Sequence, residues 1–452
     1  MYIGNEKPIL NLVKYKYFDS LVSKEFITLT TSEILNDYPN LPNAITFKSH
    51  WKTRDIRIFH LHLLVLNYLK RSNRGLFYDL RAFLFGPFKI KSFYLFFQSL
   101  RFLRKSLMEI NFCLIIKNFS LDQTEILKLL RAKKLISTGD ATAFRHILAQ
   151  NRISKVITIS TLRDPKLYDL AIACSELNLE LHVFVECWDN ISTGLGVPIG
   201  ITKLYLWSEQ QQIDFYKFYP NSTASIEICG SYRRPVLNKF QTYKLSTNDR
   251  NSPGVFRILY LEGYFYENLN YSLSQIVSAV KSIQDSKLIA RIEIVVRKYP
   301  LKRQSIKNNV ILGNQNIDFN FASDSISVHL SNNRDLGSDL ERSNLVISEL
   351  TTAGLEAAFI KIPVIFVGSN ASERFLDTMA GYNYSFANII PRYFNLINLS
   401  DTSNLENFQT LLTSILTEDN ETLYYKLKLL VEESDMNFFA ETFNSKTWLN
   451  LI

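Results

Sequence analysis

The sequence of 452 residues contains no C-x-x-C pair, no G-x-S-x-G, no Walker A phosphate loop and no G-x-G-x-x-G turn. These absences argue against a hydrolase with a nucleophile elbow, a P-loop ATPase and a dehydrogenase. No stretch reaches the roughly eighteen apolar residues that a membrane-spanning helix needs. The opening residues, MYIGNEKPILNLVKYKYF, are interrupted by Lys and Glu before an apolar core forms, so no secretory signal is read there. Cysteine is scarce and scattered. Cys113, Cys174, Cys187 and Cys229 each sit in or beside an apolar run and are expected to be reduced core thiols of a cytoplasmic protein. The histidines, His50, His60, His62, His146, His182 and His329, show no metal spacing beyond His60-x-His62, so no metal site is expected.

Acidic residues are missing from one region in particular. Between Tyr68 and Lys105 there are nine Lys/Arg (Lys70, Arg71, Arg74, Arg81, Lys89, Lys91, Arg101, Arg104 and Lys105), and Asp79 is the one acid. Eleven aromatics are interleaved with them, among them Phe83, Phe93, Phe96 and Phe102. The whole chain carries a net charge of +8. A basic, aromatic helical segment at about 60–105 fits an anionic membrane surface, where headgroup charge and buried apolar area both contribute. It fits equally an ordinary solvated helical pair with its rings in the core. No nucleic-acid partner is expected.

What the sequence does contain is an alternation of strands and helices. Lys155 to Ile159, Leu181 to Val185, Lys203 to Trp207 and Ile226 to Cys229 read as strands, with helices over Pro165 to Asn178 and Glu209 to Tyr219. Phe112 to Ile116 is read as the first clear strand, preceded by helices, and residues 1 to 60 carry no clear pattern. After the polar linker Gln241 to Gly254 the alternation resumes. Arg257 to Leu261 and Arg291 to Val296 read as strands flanking a helix over Leu273 to Gln284. Such alternation implies parallel, doubly wound sheets.

Asn344 to Gly368, NLVISELTTAGLEAAFIKIPVIFVG, is the most complete unit. It reads as a strand ending at Ser348, a turn, a helix and a second buried strand after Pro363. Thr351 and Thr352 stand where hydroxyls can cap the helix, and Gly354 removes a side chain where another backbone or a ligand can come close. Ligands of such sheets bind beyond the carboxyl ends of the strands, so this turn is a candidate anion site.

The run SELTTAGLEAAFIKIPVI resembles the donor-site segment of GT-B glycosyltransferases and of CDP-glycerol-type polyol-phosphate transferases. In those families a hydroxyl pair at the helix start meets the donor phosphates, and a Glu inside the helix, here Glu356, often meets the ribose. ECWDNIS, LYLWSEQQQIDFYKFYP and ICGSYRRP resemble the N-terminal lobe of bacterial surface-polysaccharide transferases through Trp188, Asp189, Asn190, Trp207, Ser208, Glu209, Gly230 and Arg233. Glu262-Gly263 is similar to an acidic-Gly pair of bacterial sialyltransferases. Arg297-Lys298-Tyr299-Pro300 departs from the related pattern, because Tyr299 stands where a His is common, yet Arg297 and Lys298 can neutralise a leaving phosphate.

The resemblance implies an α/β, GT-B-like fold: two Rossmann-like doubly wound lobes with a cleft between them. Residues 1–240 would form the acceptor-side lobe and 254–452 the nucleotide-donor lobe, with a helix over Glu421 to Glu433 helping to pack them. The implied activity is metal-independent transfer of a sugar from a nucleotide-sugar donor to a surface glycan or lipid-linked acceptor. The protein would be cytoplasmic or peripheral on the inner face of the membrane and would need no cofactor. Alternatives are a polyol-phosphate transferase, a nucleotide-sugar epimerase, or a non-catalytic glycan- or membrane-binding scaffold. Asp189, after a strand and beside Trp188, is expected as a general base or a carboxylate nucleophile. It also reads as a turn residue bonding its own backbone, and Asp140 shares that ambiguity. Donor-binding residues are expected to be Glu262, Gly263, Arg297, Lys298, Ser348, Thr351, Thr352, Gly354 and Glu356.

Overall fold

The structure is a computed structural model. It describes residues 2–3, 26–52, 55–56, 59–60, 131, 139–162, 164–187, 190–193, 196–220, 222–230, 255–263, 271–283, 291–298, 326–331, 336–359, 362–368 and 396–417. The chain forms two compact units, one of Met1–Tyr232 with Ala440–Ile452 and one of Arg233–Phe439.

The first unit holds β1 (Tyr2–Ile3), β2 (Thr28–Thr31), α1 (Ser32–Asp37), β3 (Ala44–Phe47), α2 (Ala141–Gln150), β4 (Lys155–Ser160), α3 (Pro165–Glu176), β5 (Glu180–Val185), α4 (Asn190–Thr193), β6 (Lys203–Leu206), α5 (Glu209–Phe218) and β7 (Ser225–Ile228). Its seven strands form one sheet in the order β3-β2-β1-β4-β5-β6-β7, and every pairing is parallel. The buried runs KVITIS and ELHVFV supply the centre, as expected of strands covered on both faces. Helices α2 and α3 pack together, with Phe144, Leu148, Leu167, Leu170 and Cys174 in the core.

Three strands therefore precede the region from which strands were expected to begin. Their signal is weak because they are short and partly polar: Thr28 and Thr30 of β2 are fully buried although neither is apolar. The strand expected at Phe112 to Ile116, the basic segment near 60–105, the linker Gln241 to Gly254 and the helix expected at Glu421 to Glu433 lie outside the described residues. Cys113 and Arg233 do too.

The second unit holds β8 (Val255–Leu261), α6 (Tyr271–Lys281), β9 (Arg291–Arg297), β10 (Ile326–Leu330), α7 (Leu336–Glu341), β11 (Leu345–Ser348), α8 (Thr352–Phe359), β12 (Val364–Gly368), β13 (Leu396–Asn398) and α9 (Thr402–Thr417). Its sheet has the order β10-β9-β8-β11-β12-β13, again all parallel. One face, carrying Ile258, Ile294 and Val328, packs on α6 and α9 through Ile276, Val280, Phe408 and Leu412.

The two sheets share a winding. In each the first strand is internal, the next two are added on one side, and the chain then returns to add the rest on the other. The winding reverses between β1 and β4 in the first unit and between β8 and β11 in the second. Diverging crossovers open a crevice at such a point, beyond the carboxyl ends of the strands.

Candidate functional site

In the second unit, the reversal brings together the ends of β8 and β11. Pairing continues one residue past β11, because Glu349 N donates to Leu261 O, at the end of β8, at 3.0 Å. The Glu349 side chain then turns back across the gap. Its Oε2 accepts from Gly263 N at 2.7 Å and its Oε1 from the Tyr260 hydroxyl at 2.8 Å. Burial, followed by the nearby Glu349 and Glu262 carboxylates, holds the Tyr260 phenol well above its ordinary range, so it remains a donor. A Cβ on Gly263 would lie 2.7 Å from Glu349 Oε2 and 2.8 Å from Glu349 Cβ, so the turn after β8 requires glycine there. Glu349 therefore fixes the backbone of the Glu262-Gly263 turn. It was readable as the acid of S-E-L-T-T, but nothing in a single Glu at a strand end distinguishes a clamp from a solvated side chain.

The turn after β11 is built by hydroxyls. Thr351 is the residue before α8, and its Oγ1 accepts from Gly354 N at 3.1 Å. This satisfies one of the amides left open at a helix start. Ser348 is fully buried; its Oγ donates to Glu349 O at 2.7 Å and lies 3.1 Å from Thr351 Oγ1. At Gly354 a Cβ would lie 2.7 Å from Ser348 Cβ and 2.8 Å from Phe366 Cε1. What comes close to this glycine is thus the end of β11 and a ring of β12. Thr352, the first residue of α8, is half-buried, and its hydroxyl makes no hydrogen bond to another described residue. Of the hydroxyls in this turn it is the one still available to an incoming oxyanion, together with the first amides of the helix. Glu356 is buried on α8.

Beside this crevice, Glu262 N donates to Arg297 O at 3.0 Å, and Lys298 follows directly after β9. The Arg297 guanidinium pairs with Asp339 of α7 at 2.6 Å, and Ser331 Oγ donates to the same carboxylate at 2.7 Å. Arg297 therefore has a protein partner already. Asp339 escaped the sequence reading because it lies in the short helix α7, among charged residues with no evident pattern.

In the first unit, Asp189 and Trp188 lie outside the described residues, but the residues that brace the turn before them do not. Asn190 Oδ1 accepts from Cys187 N at 2.8 Å, and Gln211 Nε2 donates to Cys187 O at 3.1 Å. Trp207 Nε1 donates to Val185 O at 2.8 Å, its backbone N donates to Gln211 Oε1 at 2.7 Å, and Ser208 caps α5 by accepting from Gln211 N at 3.3 Å. Asn190, Trp207, Ser208 and Gln211 thus form one hydrogen-bonded brace around the end of β5, with Glu209 in the first turn of α5. Asp140 is fully buried and accepts from Ser49 Oγ and His50 N, each at 2.6 Å.

Among the described residues no group of His, Cys, Asp and Glu is arranged to hold a metal ion, and no helix is long and apolar enough to cross a membrane. Cys174 and Cys229 are buried, and burial pushes the Cys174 thiol up to about 12.

The sequence matches no protein-family model and no curated protein. Solved structures do match. A candidate UDP-N-acetylglucosamine 2-epimerase from Listeria monocytogenes aligns with a TM-score of 0.51 at 11% identity, over 99% of this chain and 93% of that one. The fold is GT-B-like. Two further structures align less closely. The UDP-GlcNAc 2-epimerase from Methanocaldococcus jannaschii has a TM-score of 0.44 at 11% identity over 90% of each chain. A trehalose-6-phosphate synthase has 0.43 at 10% identity over 100% of this chain and 98% of that one.

Proposed function

We propose that this chain is a GT-B-type enzyme that binds a nucleotide-activated sugar in its second unit and transfers the sugar to a surface glycan or lipid-linked acceptor. The observation that carries the reading is the β11–α8 turn. It puts an available hydroxyl and the first helix amides at the winding reversal of a GT-B-like sheet, where a diphosphate oxygen gains from both. Thr352 and the α8 amides would receive the phosphates, with Thr351, Ser348 and Gly354 setting the helix start. Glu262 and Gly263 would border the sugar, Glu356 would meet the ribose, and Lys298 with Arg297 would face charge that develops on the leaving phosphate. The acceptor hydroxyl would be activated from the first unit, with Asp189 or Asp140 as carboxylate candidates.

An epimerase reading is favoured by one observation, the match over nearly the full length of both chains to a candidate UDP-N-acetylglucosamine 2-epimerase. One experiment tests both. The protein is screened by thermal shift against UDP, GDP, CDP and CMP, since a ligand that binds the native state alone raises its apparent stability. The sugar of the stabilising nucleotide is then followed by NMR. Free nucleotide with a glycosylated acceptor or hydrolysed sugar supports the transferase, and an inverted C2 centre supports the epimerase. Stabilisation by none of the nucleotides defeats both. The basic segment near 60–105 would hold the enzyme at an anionic membrane surface, which co-sedimentation with phosphatidylserine vesicles tests.

A further inference from the structure

We propose that the second unit carries an oxyanion site separate from the β11–α8 turn, in a cavity between α7 and the β8-β9-β10 part of the sheet, for phosphate or a small phosphomonoester. All of its residues lie in that unit, and its occupancy is independent of what the turn binds.

The strands themselves mark the place. Strands covered on both faces are expected to be apolar, yet the inner strands β8 and β9 carry Arg257 and Glu293 in direct register, and the edge strand β10 carries His329. Side chains alternate along a strand, so these three face away from Ile258, Ile294 and Val328, which pack on α6 and α9. On this face Arg257, Glu293, His329, Ser331, Asp339 and Arg342 border a cavity of about 180 Å³. That is below the roughly 300–1,000 Å³ of pockets for drug-sized ligands, which suits an ion or a small metabolite. Arg257 stands four residues, about 13 Å of strand, before Leu261 at the donor crevice, so the cavity and the turn are different places.

Both carboxylates of the cavity are already neutralised. Glu293 pairs with Arg257 through Nε and lies 3.4 Å from His329 Nε2. Asp339, with 1% of its side chain exposed, holds Arg297 at 2.6 Å and accepts from Ser331 Oγ at 2.7 Å.

The guanidinium groups keep donors in reserve. Arg257 N donates to Asn344 Oδ1 at 2.8 Å and Arg257 Nη1 to Arg342 O at 3.4 Å, which together with Glu293 sets the plane of the group. Its Nη2 makes no hydrogen bond to another described residue, and neither does the guanidinium of the exposed Arg342. A cross-strand ion pair serving stability alone needs one cation for Glu293. Here Arg257, Arg297 and Arg342 stand against two carboxylates, so one positive charge is left over before His329 is counted. A planar guanidinium offers paired N–H donors that match the oxygens of a phosphoryl group. Val295, also in the lining, gives the carbon of an ester an apolar contact.

Binding of inorganic phosphate and of glycerol 1-phosphate is measured by isothermal titration calorimetry at constant ionic strength. The wild type, Arg342→Gln, Arg342→Lys and Thr352→Ala are compared, with circular dichroism on each. Because Arg342 is exposed, its substitution spares the sheet. Saturable binding is expected in the wild type, weakened about 10- to 100-fold in Arg342→Gln, as for the loss of hydrogen bonds to a charged group. Arg342→Lys should regain part of the affinity, and Thr352→Ala should leave it unchanged. Given such binding, a tighter ester names a phosphomonoester as the occupant, and an equal or weaker one names free phosphate. Absence of saturable binding in the wild type, or equal affinity in wild type and Arg342→Gln, overturns the site. Loss in Thr352→Ala with none in Arg342→Gln would put the anion at the β11–α8 turn, which overturns the site and leaves the donor reading in force.

Discussion

Tyr260 and Glu349 join the two central strands of the second sheet through a hydroxyl-to-carboxylate bond of 2.8 Å, at the point where the winding reverses. Removing the hydroxyl leaves a buried carboxylate with one donor fewer. Tyr260→Phe should therefore cost about 1.5–3 kcal/mol, in the range for bonds to charged groups. Amide hydrogen exchange in β8 and β11 should speed up roughly 10- to 100-fold while exchange in the first unit stays unchanged. Unaltered exchange in β11 would mean that the bond does not hold the strands.

Two effects compete at Gly354. Alanine gains about 1 kcal/mol in a helix, but its Cβ would fall 2.7 Å from Ser348 Cβ and 2.8 Å from Phe366 Cε1, against fully buried neighbours. Overpacking of this kind costs roughly 1–3 kcal/mol, and neither a strand end nor a core ring can withdraw cheaply. Gly354→Ala should lower the melting temperature and weaken nucleotide binding together. A more stable variant would show that the strand end yields.

Thr351 and Thr352 should separate under substitution. Thr351→Ala removes the cap on Gly354 N and should cost about 1 kcal/mol of stability. Thr352→Ala removes a hydroxyl without a described partner and should leave stability nearly unchanged while reducing affinity for the nucleotide identified by thermal shift. Equal nucleotide affinity in Thr352→Ala and wild type would remove the phosphate role.

Asp164 gives a pH dependence with a definite sign. Burial, only partly offset by Lys166, raises this carboxyl above its usual 3.8 in the folded state. The folded protein therefore holds the proton more tightly than the unfolded chain does. Stability of the first unit from this group is fully present below the unfolded value and is lost as pH rises through the folded one. Asp164 also caps α3, accepting from Lys166 N at 3.0 Å, a bond that Asn can keep. Asp164→Asn should flatten the stability profile above pH 4 without unfolding α3. Denaturant midpoints across that range check it, and a steeper profile would contradict the sign.

Most of the described strands and helices from Lys155 onward were legible, because parallel strands covered on both faces leave continuous apolar runs such as KVITIS and VIFVG. The strands before them were not. TLTT in β2 buries the hydroxyls of Thr28 and Thr30 beside its one leucine, and AITF in β3 is only four residues long. At the site, the S-E-L-T-T turn and its helix were readable from spacing, whereas Glu349's hold on Gly263 spans a separation of 86 residues and leaves no local pattern. His50 and Asp140 stand 90 apart for the same reason, so each was visible as a residue type and neither as half of a pair.

The internal placement of the first strand in each sheet has a consequence for how the chain acquires its shape. Tyr2 pairs with Leu29 on one side but with Thr158 on the other, and Leu345 returns to Ile258 across a shorter detour. On the ribosome, β1 and β8 can each gain one neighbour early and must wait for the second. The entropy of closing so long a loop grows only logarithmically with its length, so the delay weighs on the speed of folding more than on the final stability. Until β4 and β11 emerge, each half-built sheet presents an unpaired inner edge to the cell, and chains stalled or truncated at those points are the forms most prone to aggregate.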